Sequence, residues 1–142
     1  MAGHIKNQFK GWNILVVDDE PDSLEVASRW LKIAGANVLT AENGRDGLEI
    51  AKAERPHFII ADLTMPVMDG WELLHELRQD PETAHIPVIA LTAHAMQSVK
   101  QRAIQVGFVS HIPKPLSPIK FVDQVADIVR EVPELAKQPA IE

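Results

Sequence analysis

The stretch Ile14-Leu15-Val16-Val17-Asp18-Asp19-Glu20-Pro21 decides how this chain is read. Four aliphatic residues run together without polar alternation, which suits a strand buried on both faces, as in a parallel sheet. Three acids follow at once. Pro21 then stands where a first helical turn should begin, because its missing N–H costs nothing there. A buried strand therefore passes into a helix through an acidic turn.

Working outward, the same alternation recurs. Further apolar runs are Val38-Leu39-Thr40, Phe58-Ile59-Ile60-Ala61, Val88-Ile89-Ala90-Leu91 and, more weakly, Phe108-Val109 to Ile112. The stretches between them carry helical stripes. These are Leu24, Ala27, Leu31 and Ala34 with Trp30; Gly70, Leu74 and Leu77; Met96, Val99, Ala103 and Val106; and Val122, Val125, Ala126 and Val129. A short helix near Leu48 and Ala51 completes the series. Asp69-Gly70-Trp71-Glu72 resembles a capping box, Ser117 precedes Pro118 as an N-cap, and Gly35 and Gly107 fall at helix ends. Five strand–helix repeats predict an α/β domain whose parallel sheet is covered on both faces.

Residues 1–12 and about 133–142 lie outside that alternation. Val132-Pro133 and Gln138-Pro139 suggest a mobile tail. Phe9 and Trp12 interrupt the polar N-terminal segment and are expected to pack on the domain edge rather than serve a partner. The chain has 142 residues, room for one domain and little more. Its 14 basic and 20 acidic residues give a net charge of −6, without the basic footprint of nucleic-acid binding. No apolar run approaches a membrane span, and no apolar core of a secretory signal lies between Met1 and Trp12. There are no cysteines, which excludes disulfides, thiolate metal sites and a cysteine nucleophile, and fits a cytoplasmic protein.

In open parallel sheets, ligands bind beyond the carboxyl ends of the strands. The residues there are Asp18 and Asp19, then Asp62, then Thr92, then Lys114 before Pro115. Each alone has a plain reading: acids favouring a helix dipole, a loop aspartate, an N-cap threonine, a solvated lysine. Together they form a coherent site. Clustered carboxylates repel one another, and a hard divalent cation such as Mg²⁺ relieves that repulsion. A lysine and a hydroxyl would hold phosphoryl oxygens, so the set suits phosphoryl transfer to a carboxylate.

These residues resemble the receiver domain of two-component response regulators. The resemblance covers about residues 13–131. It is carried by Ile14 through Glu20, by Asp62-Leu63-Thr64-Met65-Pro66-Val67-Met68-Asp69-Gly70, by Leu91-Thr92-Ala93-His94-Ala95-Met96, and by Lys114-Pro115. It implies a single (βα)5 flavodoxin-like domain with strand order 2-1-3-4-5, preceded by the extension 1–12 and followed by a tail, 132–142, too short for an output domain. It implies Asp62 as phosphoacceptor. Mg²⁺ would be held by Asp19, Asp62 and the Thr64 backbone carbonyl, with Asp18 acting through water. Thr92, with Ala93 beside it, and Lys114 would bind the phosphoryl group, and Lys114-Pro115 would be a cis peptide. The implied donors are a sensor histidine kinase or a histidine phosphotransfer protein. The readout would be an effector protein bound through the surface of residues 95–130, where a homodimer could also form.

Two departures stand out. His111 occupies a position where the family commonly has a switch aromatic, so the usual rotamer coupling is in question. Gly107-Phe108-Val109-Ser110 and Pro113 also differ from the common pattern. His94 is expected as a surface residue near the site, the side chain of Thr64 as a neighbour of the phosphoryl group, and His4, His57, His75 and His85 as structural or exposed. Trp30 and Trp71 are expected to pack. A dehalogenase-like phosphatase would want a second Asp where Thr64 stands. A flavin cradle or P-loop is missing after the first strand. A receiver fragment of a hybrid kinase remains compatible with the same residues.

Overall fold

The computed structural model describes residues 8–93 and 96–136. The chain alternates β1 (Asn13–Val17), α1 (Pro21–Ile33), β2 (Asn37–Ala41), α2 (Gly44–Glu54), β3 (Phe58–Asp62), α3 (Gly70–Gln79), β4 (Val88–Thr92), α4 (Gln97–Val106), β5 (Ser110–Pro113) and α5 (Pro118–Arg130), and adds the short α6 (Pro133–Ala136). The five strands pair in parallel in the order β2-β1-β3-β4-β5, as the resemblance implied.

Strand periodicity divides the core into two layers. Ile14, Val16, Phe58, Ile60, Ile89, Leu91 and Ile112 face one cluster, closed by Ala27, Leu31, Phe121, Val125 and Val129. Leu15, Val17, Ile59, Ala61, Val88 and Ala90 face the other, closed by Leu48, Ala51, Leu73, Leu74, Leu77 and Phe108. Uninterrupted apolar strands are thus what a sheet covered on both faces requires.

The N-terminal extension is more deeply built in than an edge contact. The Phe9 N–H donates to the Ala34 carbonyl at 2.8 Å, and the Asn37 N–H to the Trp12 carbonyl at 2.7 Å. Phe9 and Trp12 are fully buried, edge-on to each other at 5.7 Å and both against Phe58. His57 supports the same corner, its Nδ1 accepting the Asn13 N–H at 2.9 Å. At the other end, residues 133–136 form α6 instead of a free tail, with Val132 and Leu135 buried in the same core layer. Burying two aromatics and a leucine outweighs the entropy that leaves chain ends loose. Residues 1–7 and 137–142, with His4, Gln138 and Pro139, lie outside the described residues.

Two local expectations change. The fifth strand starts at Ser110; Phe108 instead packs edge-on against Trp71 at 5.6 Å, and Gly107 ends α4 at φ 120°. The stripe of α4 is also narrower than its spacing suggests. Ala103 alone is buried, whereas Met96 and Val106 are 64% and 48% exposed. The second helix, short in the sequence reading, is a full 11 residues capped by the Asn43 side chain.

Candidate functional site at the carboxyl edge of the sheet

Register brings the polar residues to one edge. β1 and β3 pair Val17 with Ala61, β3 and β4 pair Asp62 with Leu91, and β4 and β5 pair Thr92 with Pro113. Asp18, Asp62, Thr92 and Lys114 therefore end neighbouring strands at similar height. Asp18, Asp62 and Thr92 are buried, although each is polar.

The loop after β3 is fixed by its own sequence. The Thr64 N–H donates to Asp62 Oδ1 at 3.0 Å, holding the carboxylate over the strand end. Asp69 and Glu72 complete the expected capping box of α3. Gly70 makes a close approach: a Cβ there would stand 2.3 Å from the Asp62 carbonyl oxygen, so only glycine lets α3 begin against the site. Val67 sits at the loop tip with φ 69°, in the left-handed region, and is 74% exposed.

Lys114 binds the cluster together. It follows β5, and its N–H donates to the Thr92 carbonyl at 2.8 Å. The Lys114–Pro115 peptide is cis. The Lys114 ammonium donates to Asp62 Oδ2 at 2.5 Å, to Asp18 Oδ1 at 3.1 Å and to the Glu20 carboxylate. Burial works to lower the lysine pKa, but hydrogen bonds to Asp62, Glu20 and Asp18 outweigh it and push it upward. Asp18 moves the other way from an ordinary carboxylate. Its burial raises its pKa from 3.8 to about 6, although the Glu20 N–H and Lys114 both favour the ionised form.

Asp18, Glu20 and Asp62 offer carboxylate oxygens within 4.8 Å of one another. One ammonium faces three carboxylates, and the buried Asp18 Oδ2, in ion-pair range of it at 3.0 Å, accepts no hydrogen bond of good geometry from the described residues. Surplus negative charge in oxygen ligands is what a hard divalent cation neutralises, so the donor set fits Mg²⁺.

Glu20 is the member that sequence reasoning missed, because an acid before Pro21 reads as a helix-dipole residue. The available signal was its spacing: an aspartate can accept the N–H two residues on in an Asx turn, as Asp18 Oδ1 does from Glu20 at 2.9 Å, which keeps Glu20 close to Asp18. Asp19 is exposed and not one of the three grouped carboxylates; with Asp18 it borders a cleft of about 300 Å³ beside α1. Thr64 contributes its N–H to Asp62, and its side chain is exposed. Ala93 is exposed just beyond β4. His111 is half-buried on β5 opposite Ala90; burial, then the nearby Lys100, lower its pKa from 6.5. His94 lies outside the described residues. No helix among the described residues is long and apolar enough to cross a membrane.

Residues 14–126 match the family model described as response regulator receiver domain. The polar-differentiation response regulator DivK of Brucella anthropi is 31% identical over 80% of this chain and 92% of its own. Among solved structures, the chemotaxis response regulator CheY4 of Vibrio cholerae superposes with a TM-score of 0.77 at 31% identity, over 82% of this chain and 98% of that one. The receiver domain of sensor histidine kinase PA1611 from Pseudomonas aeruginosa PAO1, solved with a magnesium ion coordinated in its active-site cleft, gives 0.73 at 28% identity, over 82% and 95%.

Proposed function

The chain belongs to the response regulator receiver domain family, and from that premise we propose that Asp62 accepts a phosphoryl group and so switches a protein-binding surface. The observation that carries this reading is the Asp62 carboxylate held at 2.5 Å by the Lys114 ammonium, beside the buried carboxylate of Asp18. A carboxylate so placed is an oriented nucleophile, and the ammonium that fixes it also meets the charge arriving with a phosphoryl group.

The donor is a phosphohistidine on a sensor histidine kinase or a histidine phosphotransfer protein. An Asp62 oxygen attacks phosphorus, the new O–P bond forms as the P–N bond breaks, and the imidazole leaves with its electron pair. Lys114 stays with the transferred oxygens. Thr92, ending β4 beside Asp62, supplies a hydroxyl for another. Mg²⁺, when bound, neutralises phosphoryl charge; Asp62 and the Thr64 carbonyl would hold it together with Asp19 turned in from the neighbouring cleft, with Asp18 acting through water and Glu20 at the rim.

The product is a switch, not a turnover cycle. A phosphoryl group adds negative charge and acceptor oxygens at one buried point. Thr92 joins β4 to the loop that starts α4, and the Lys114 N–H ties that strand end to β5. A shift of Thr92 toward the phosphoryl group is thus transmitted to α4, β5 and α5, the expected effector surface. His111 stands on β5 in place of an aromatic, opposite Ala90 and two residues before Pro113, the register partner of Thr92, so an imidazole would replace the aromatic ring in any coupling to Thr92.

The test is amide NMR of the full chain with beryllofluoride and Mg²⁺. Large shifts at Asp62, Thr92 and Lys114, lost in Asp62→Asn, support the reading. An unchanged response in Asp62→Asn sinks it.

A further inference from the structure

We propose that the groove between α3 and α4 docks an acidic, apolar-faced segment of a partner protein, a role separate from phosphoryl transfer. Two adjoining clefts of about 440 and 280 Å³ open there, sharing Trp71 and Arg102. Trp71 and Leu74 from α3 and Val99 and Val106 from α4 give the groove its apolar surface. Trp71 is wedged edge-on against the buried Phe108 at one side, and at the other carries the Arg102 guanidinium 5.5 Å above its ring.

Charge selects the occupant. Arg29, Arg55 and Arg130 are paired with Glu25, Glu82 and Asp127. Arg78 and Arg102, both lining the smaller cleft, have no carboxylate within 4.0 Å among the described residues. Arg78 is half-buried, its Nη1 donating to the Ile86 carbonyl at 2.9 Å, and the rest of its guanidinium faces the cleft without a side-chain partner among the described residues. Arg45 on α2 likewise has no carboxylate within 4.0 Å among the described residues, so what sets the groove apart in a chain of net charge −6 is two such guanidinium forks brought together beside an indole. Such forks take carboxylates in bidentate fashion, and a groove between two helices takes an amphipathic segment by its apolar face. A basic segment would be repelled.

The groove can also adjust. α3 is pinned by Gly70 against β3, whereas α4 buries only Ala103. One wall is therefore fixed and the other lightly held.

The experiment selects a random peptide library on phage against the full chain, with Arg102→Glu as counter-target. Arg102 is exposed, so the variant keeps its fold. Enriched peptides should combine bulky apolar residues with Asp or Glu, move the Trp71 indole N–H in NMR spectra, and bind Arg102→Glu about tenfold more weakly or worse, as a reversed charge demands. Arg102→Lys, which keeps the charge and loses the fork, should fall between. Enrichment of basic or uncharged peptides, equal binding to Arg102→Glu, or an unmoved Trp71 overturns the proposal. So does failure to enrich any peptide, or a Trp71 signal moved by inorganic phosphate or ATP alone.

Discussion

Replacing Asp18 by Asn should stabilise the metal-free protein at neutral pH, although Asp18 lies at the heart of the site. Asp18 is fully buried, and its pKa is raised from 3.8 to about 6. At about 1.4 kcal/mol per pKa unit, keeping it ionised at pH 7.5 costs the fold about 3 kcal/mol. The native state holds the Asp18 proton more tightly than the unfolded chain. Stability therefore falls as pH rises from 3.8 through 6 and is flat above. Asn keeps an acceptor for the Glu20 N–H at 2.9 Å and for Lys114. Its NH2 would replace Oδ2, which lies 3.0 Å from the ammonium, and donor facing donor returns part of the gain. A net gain of about 1–2 kcal/mol is expected, raising Tm by roughly 3–6 °C. The assay is urea unfolding in EDTA at pH 7.5 and pH 4.5. The gain should vanish or reverse at pH 4.5, where wild-type Asp18 is largely protonated in the fold. Added Mg²⁺ should narrow the gap at pH 7.5, because it binds the charged native site better. A variant less stable than wild type by similar amounts at both pH values would refute the reasoning.

Other outcomes follow from single residues. Phe9→Ala should cost about 3–5 kcal/mol in urea unfolding, the usual loss for a fully buried phenylalanine; a change under 1 kcal/mol would return residues 8–12 to a loose extension. Val67→Asn should stabilise by roughly 0.5–1 kcal/mol, because Asn tolerates the left-handed conformation that a β-branched residue resists; equal or lower stability counts against strain at that turn. An NMR titration should place the His111 pKa below 6.5, with Lys100→Gln raising it part of the way back. The sign for stability is a loss as pH falls below 6.5, since the unfolded chain then binds the proton better. A midpoint at or above 6.5 removes burial as the dominant influence.

How much could be read in advance depended on burial. β1, β3 and β4 were legible because both faces are covered, leaving continuous apolar runs. Ser110-His111-Ile112-Pro113 was misplaced because an edge strand has one open side and weaker patterning, while Phe108 looked like strand but serves the core beneath Trp71. The α4 stripe fits a helix by spacing, yet spacing does not say how much of a stripe meets a neighbour. At the site, Asp18, Asp62, Thr92 and Lys114 were found from their place after strands. Glu20 was not, since it does not end a strand, and an acid directly before Pro21 reads as a helix-dipole residue until Lys114 is seen to reach it.

The most direct test of the central claim is the intact mass of the chain after acetyl phosphate and Mg²⁺, with the modified residue located by borohydride reduction and peptide mapping. One phosphoryl group is expected, on Asp62, lost slowly on standing and missing from Asp62→Asn. Equal labelling of Asp62→Asn, or label on another residue, would contradict it.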